Sequence, residues 1–255
     1  MKPIATMLYG DPGTGKSYLA ASLFNSKLIA PERVLYLDNH GSTDHLDLPQ
    51  YEKGVREYGV FHVDSSEPEL LITMAQDKIL PAVAEGKPLY DAIVIDDISE
   101  HDLTSMENRT TTGFDAWREQ LSDMSNMFRL YKPSVTKAHL IVTARASMLP
   151  DYMEKKRKGG KEDSRAQILR PMVRGQFGVW MLGECQLILL GDLVDSETEF
   201  WPESQGGGPK AEYRWLTAQS HDPYVKNRFI HLDSMPKQYL VNPTYDNIIT
   251  AVGGN

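Results

Sequence analysis

The sequence predicts an α/β fold, a mostly parallel β-sheet flanked by helices. Three observations carry that prediction. A glycine-rich segment lies between an apolar run and a helix-like run near the amino terminus, short β-branched runs alternate with helix-periodic stretches further on, and the strand-like runs are apolar almost throughout. Strands of that kind are buried on both faces, as in parallel sheets covered by crossover helices.

The elements follow in order. Ile4 to Tyr9 suits a buried strand and Ser17 to Phe24 a helix. Between them, Gly10-Asp11-Pro12-Gly13-Thr14-Gly15-Lys16-Ser17 fits G-x-x-x-x-G-K-[ST], the pattern of a phosphate-binding loop. Glycines let the backbone curl so that N–H groups face phosphate oxygens, and the helix that follows adds the positive end of its dipole. Lys16 is then expected on the β- and γ-phosphates, Ser17 on Mg²⁺, and Tyr18 at the end of the binding segment. Arg33 to Asp38 predicts a second strand, closing on the turn Asn39-His40-Gly41-Ser42, and Val60 to Val63 a third. Glu67 to Glu85 predicts an amphipathic helix interrupted near Pro81.

Ala92-Ile93-Val94-Ile95 is a fully apolar strand ending in Asp96-Asp97. A carboxylate there can hold Mg²⁺ beside the Ser17 hydroxyl, so Asp96 is the candidate metal-site residue and Asp97 a candidate to polarise water. Phe114, Trp117, Leu121, Met124, Met127, Phe128 and Tyr131 repeat at helical spacing up to Pro133, and His139 to Ala144 predicts another buried strand. Thr143 and Arg145, at its end, lie where a γ-phosphate can be sensed, although a polar strand end accounts for them equally well. The segment 148–178 reads as a mobile basic loop. Between Glu154 and Arg174 it places eight cations (Lys155, Lys156, Arg157, Lys158, Lys161, Arg165, Arg170, Arg174) against three acids. Such a loop can bind single-stranded DNA by counterion release, or be a solvated lysine tract.

A helix near Phe177 to Gly183, a strand at Gln186 to Leu190, a flexible glycine-rich loop at 203–210, strands at Tyr213 to Ala218 and Phe229 to Leu232, and a helix at Tyr245 to Val252 complete the expectation. With 255 residues and 41% apolar content the chain suits one large domain. Its single cysteine, Cys185, excludes an internal disulfide and lies in an apolar run that suits a core position. His62, His101, His139 and His221 show no metal-ligand spacing. The net charge of −8 argues against a uniformly basic coat, and no apolar stretch approaches the ~20 residues of a membrane span, so a cytoplasmic protein with no membrane contact is expected.

Five segments together support a resemblance: Gly10 to Ser17, Val34 to Gly41, Ile93 to Asp97, Arg170 to Gly175, and Lys226-Asn227-Arg228-Phe229. On these the chain resembles the RecA-like branch of P-loop NTPases, and within it is similar to AAA-type phage nucleotide-binding proteins of single-strand annealing and recombination. The last segment is similar to the Lys-Asn-Arg-Phe-Gly motif of related helicases. The resemblance implies a RecA-like core that binds ATP and Mg²⁺ and hydrolyses ATP. It also implies a ring or filament of identical subunits in which Lys226 and Arg228 reach the neighbour's nucleotide. Further implied partners are single-stranded DNA and a single-strand binding or replication protein, within a phage-infected bacterial cell. Two positions depart from the pattern. His40 stands where relatives carry a water-activating glutamate, which leaves His40 or Asp97 as the candidate base, and Ile230 replaces the motif glycine. Two other readings stay open: an ATP-gated interaction module such as a helicase loader, and a nucleoside or small-molecule kinase.

Overall fold

The computed structural model describes residues 2–39, 41–63, 68–107, 109–150, 167–173, 175–200, 202, 208–217, 226–229 and 239–253. Ten strands form one sheet, with β10-β8-β7-β1-β5-β4-β2-β3 as its path and β6 and β9 branching from β5 and β7. The strands are β1 (Ala5–Gly10), β2 (Val34–Asp38), β3 (Gly59–His62), β4 (Ala92–Asp96), β5 (His139–Pro150), β6 (Gln167–Pro171), β7 (Leu187–Phe200), β8 (Pro209–Leu216), β9 (Lys226–Asn227) and β10 (Tyr239–Val241). Every pairing from β3 across to β7 is parallel, whereas β8, β10, β6 and β9 add antiparallel margins.

Side-chain parity explains the layers, because successive residues of a strand point to opposite faces. Ala5, Met7 and Tyr9 of β1, Ile93 and Ile95 of β4, and Leu140, Val142 and Ala144 of β5 bury into one apolar layer. That layer is shared with α2 (Pro68–Met74), α5 (Gly113–Tyr131) and α7 (Gly175–Glu184). Ile4, Leu8, Ala92, Val94 and Ile141 point the other way, against α1 (Lys16–Ala21) and α8 (Tyr245–Gly253). Cys185 is buried in the first layer, as the sequence suggested. Thr6, the polar member of β1, faces the second layer and satisfies its hydroxyl on Tyr245 Oη at 2.9 Å.

Several boundaries differ from expectation. The helix after β3 is not broken at Pro81. A π-helical stretch, Ala75–Ile79, precedes α3 (Leu80–Ala84), and Pro81 sits in the first turn of α3, where its missing N–H is no loss. The expected loop 148–178 is shorter at both ends. β5 runs on to Pro150, pairs with β6 from Ala146↔Pro171 to Pro150↔Gln167, and α7 begins at Gly175. Paired backbone hydrogen bonds outweigh the weak side-chain periodicity that suggested a loop. Lys155, Lys156, Arg157, Lys158, Lys161, Arg165 and Arg174, most of the glycine-rich loop 203–210, and residues 230–232 of an expected strand lie outside the described residues. Phe229 is in a turn, not a strand. The two remaining helices are α4 (Ile98–Glu107), directly after β4, and the short α6 (Pro133–Thr136). Among the described residues no helix is long and apolar enough to cross a membrane.

Candidate active site

The loop Gly10–Ser17 joins the carboxyl end of β1 to α1, at the edge where β4 also ends and where β5, at Arg145, passes on toward its hairpin with β6. Gly13 and Gly15 take φ of 85° and 80°, a left-handed backbone that residues with a Cβ rarely adopt. Thr14 Oγ1 donates to the Asp11 carbonyl at 2.8 Å and ties the curl together. Lys16 Nζ folds back over the loop and donates to the carbonyls of Gly10 at 3.0 Å and Asp11 at 2.9 Å. Burial holds the Lys16 pKa below its ordinary value against the opposing pull of Asp97, Asp96 and Asp11. Asp11, Pro12, Gly13 and Tyr18 are exposed, while Thr14 is buried.

Asp96 continues the parity of Ala92 and Val94, so its carboxylate lies on the α1 side of the sheet. Three hydroxyls donate to it. Tyr36 Oη at 2.5 Å and Ser42 Oγ at 2.7 Å reach Oδ2, and Thr143 Oγ1 reaches Oδ1. The Tyr36 pKa is held well above its ordinary value by burial first and the Asp96 charge second, with the nearby Ser17 side chain opposing the rise. Ser17, Tyr36 and Asp96 therefore lie at one place in the site. Hard oxygen donors beside a phosphate loop suit Mg²⁺, and Ser17 and Asp96 are the residues that would hold it, so the donor set fits the ion.

Asp97 follows Asp96 across a cis peptide bond. Its Oδ1 accepts the Ser99 N–H at 2.7 Å and its Oδ2 the Arg145 Nε–H at 3.0 Å, while Arg145 Nη2 also reaches Glu100 Oε2 at 3.2 Å. Burial raises the Asp97 pKa, the neighbouring Asp96 adds to the rise, and Ser99 and Arg145 oppose it. Arg145 thus stands beside Asp97 where β5 runs past the end of β1, and Thr143 is inside the same network.

A pocket of about 360 Å³ opens over the loop, lined by Gly13, Gly15, Lys16, Ser17, Tyr18, Ser42, His45 and Tyr213. Sequence spacing missed Tyr36, Ser42, His45 and Tyr213, which come from three other segments. Only the parity of Tyr36 with Asp38 along β2 was a readable signal.

Other expected residues stand apart. His40 lies outside the described residues. Asp38, before it, gives its carboxylate to Ser42 and Thr43, accepting their N–H groups at 3.1 and 3.0 Å and the Thr43 hydroxyl at 2.5 Å, which makes it the cap of this turn. Asp38, Asp44 and His62 bring ligand atoms within 4.8 Å of one another, a proximity that sequence spacing did not show. β9 pairs at the Leu187–Ile188 end of β7, and the Arg228 N–H donates to the Gln186 carbonyl at 3.2 Å. Gln186 is level with Ala5, five residues below Gly10, so Arg228 sits about 17 Å along the strands from its own phosphate loop. Its guanidinium donates to the Gly183 carbonyl at 3.2 Å, and Arg170 lies on β6, half-buried.

A parallel sheet whose first strand opens into a glycine-rich loop, with a second strand ending in an acid beside the loop serine, defines a P-loop NTPase. The AAA domain family profile matches residues 2–229, and the chain belongs to that family of nucleotide-binding ATPases. No curated protein matches the chain.

Proposed function

We propose that this protein binds ATP·Mg²⁺ at the loop Gly10–Ser17, hydrolyses it, and works as a homo-oligomer on single-stranded DNA in phage recombination or annealing. The observation that carries the catalytic part is the meeting of Lys16, Ser17, Asp96 and Asp97 at one end of the sheet. The loop amides and Lys16 bind the phosphates, replacing the carbonyl contacts that Lys16 makes now. Mg²⁺, when bound, neutralises charge on the β- and γ-phosphates. Asp97 orients the attacking water once Arg145 turns from its carboxylate toward the γ-phosphate.

Two observations support the oligomer and DNA parts. Arg228 is too far from its own loop to act there, which suits a residue serving a neighbouring subunit. β5 carries Thr143 and Arg145 beside the acids and then runs directly into the hairpin with β6, whose connecting segment holds the basic run from Lys155 to Arg165. A strand shared between the phosphate end and a cationic segment gives nucleotide state a short route to DNA affinity. The occupied carboxylate of Asp97 favours one second reading, an ATP-gated module such as a helicase loader with slow turnover.

Phosphate release with and without single-stranded DNA, for the native chain and for Lys16→Ala and Arg228→Ala, tests the proposal. DNA-stimulated turnover that both variants lose supports it. Nucleotide-dependent assembly without phosphate release supports the module. Unchanged turnover and unchanged assembly in Arg228→Ala rule out a shared site.

A further inference from the structure

Tyr213 stands at the end of the loop pocket opposite the acids. We propose that its ring is the platform on which the base of a bound nucleoside triphosphate stacks. The inference rests on the triphosphate reading of the loop and deepens it.

The direction of the ligand follows from the sheet. β1 has β5 on one side and β7 on the other, with β4 beyond β5 and β8 beyond β7. Asp96, Asp97 and Arg145 belong to the β4 and β5 side, so the γ-phosphate end lies there. The nucleoside must leave toward β7 and β8. Tyr213 is on β8, and it lines the same pocket as Lys16 and Ser17.

The ring is close and held. A Cβ built on Gly15 would lie 2.9 Å from Tyr213 Cδ1 and 3.0 Å from Cε1, so the ring rests on the loop itself. Asn242 fixes the main chain behind it. The Tyr213 N–H donates to Asn242 Oδ1 at 2.8 Å, and the Asn242 N–H donates to the Tyr213 carbonyl at 2.8 Å. Asn242 has φ 42°, a left-handed conformation that asparagine tolerates better than most residues. A half-buried aromatic face, fixed beside the phosphate cradle, offers stacking at little ordering cost.

Titration calorimetry of the full chain with Mg²⁺, using ATP and inorganic tripolyphosphate as separate ligands, tests this. The native protein is expected to bind ATP more tightly than tripolyphosphate. Tyr213→Ala should weaken ATP about tenfold or more, the usual effect of losing a stacked base, and leave tripolyphosphate within about twofold. Tyr213→Phe keeps the face and should keep ATP affinity within about threefold. Tyr213→Leu, which still fills the space against Gly15, should behave as the alanine variant and serves if alanine does not fold. Unchanged ATP affinity in Tyr213→Leu overturns the proposal. So does equal weakening of both ligands, which would make the ring a prop for the loop. A native protein that binds neither ligand overturns the triphosphate reading instead.

Discussion

Gly13 and Gly15 separate two physical reasons for glycine in the loop, and the pair of alanine substitutions can be worked from the structure. Both residues have left-handed φ, 85° and 80°, so each alanine carries the conformational penalty of about 1–2 kcal/mol. At Gly13 nothing lies within 4 Å of an added Cβ, and Gly13→Ala should cost that penalty alone. At Gly15 the methyl also meets the Tyr213 ring at 2.9 Å, and the main chain of Tyr213 is hydrogen-bonded on both sides by Asn242, so the ring can only rotate away. Overpacking of this kind adds about 1–3 kcal/mol. Urea denaturation without nucleotide should therefore place Gly15→Ala below Gly13→Ala by that amount. In a Tyr213→Ala background the gap should close to about 0.5 kcal/mol or less. Equal losses for the two single variants, or a gap that survives removal of the ring, would refute the reasoning.

Three further outcomes are expected. Lys16→Met should abolish measurable ATP binding yet leave the nucleotide-free protein as stable or more stable, because burial already disfavours the ammonium; calorimetry and thermal melting read the two effects separately. Asp96→Asn should lower Mg²⁺-dependent phosphate release about a hundredfold or more, measured over a magnesium titration, with the fold retained because the amide oxygen still accepts from a hydroxyl. Burial lowers the His139 pKa to about 4. The unfolded chain takes up that proton first as pH falls, so roughly 3 kcal/mol of stability is lost between pH 6.5 and 4. His139→Asn keeps an acceptor for the Ile4 N–H and should remove that acid sensitivity in denaturation measured across the window.

Much of the sheet was legible because its strands are apolar on both faces and short, and because proline and glycine punctuate the helices. β4 is the clearest case: Ala92 to Asp96 appears with the expected end, and the acid falls on the α1 side by parity alone. What could not be read was set by long-range pairing. β5 extends to Pro150 because β6 supplies backbone partners some twenty residues later, and no local property of Ala146 or Ser147 announces that. The same holds at the site. Tyr213 meets Gly15 only because β8 lies beside β7 and β7 beside β1, a relation of strand order that spacing in the chain does not encode.

The balance of charge around Lys16 links these parts. Two buried carboxylates, Asp96 and Asp97, lie near one half-buried ammonium, Lys16, and Arg145. Hydroxyl donors satisfy Asp96, whereas Asp97 depends on Arg145 and the Ser99 N–H. A triphosphate bound as proposed adds negative charge at this point, and Arg145, whose guanidinium is more exposed than either acid, is placed to meet it together with Lys16. Drawing Arg145 toward the phosphate leaves Asp97 buried without its charge partner, which raises its proton affinity, the property a general base needs. In the proposed mechanism proton affinity and charge compensation are thereby coupled through one side chain on β5. Arg145→Lys, which keeps the charge but not the fork that reaches both Asp97 and Glu100, should retain ATP affinity within about threefold and lower turnover by at least tenfold. Measured by calorimetry and phosphate release together, a variant that loses binding and turnover in parallel would show that Arg145 serves only to hold the nucleotide.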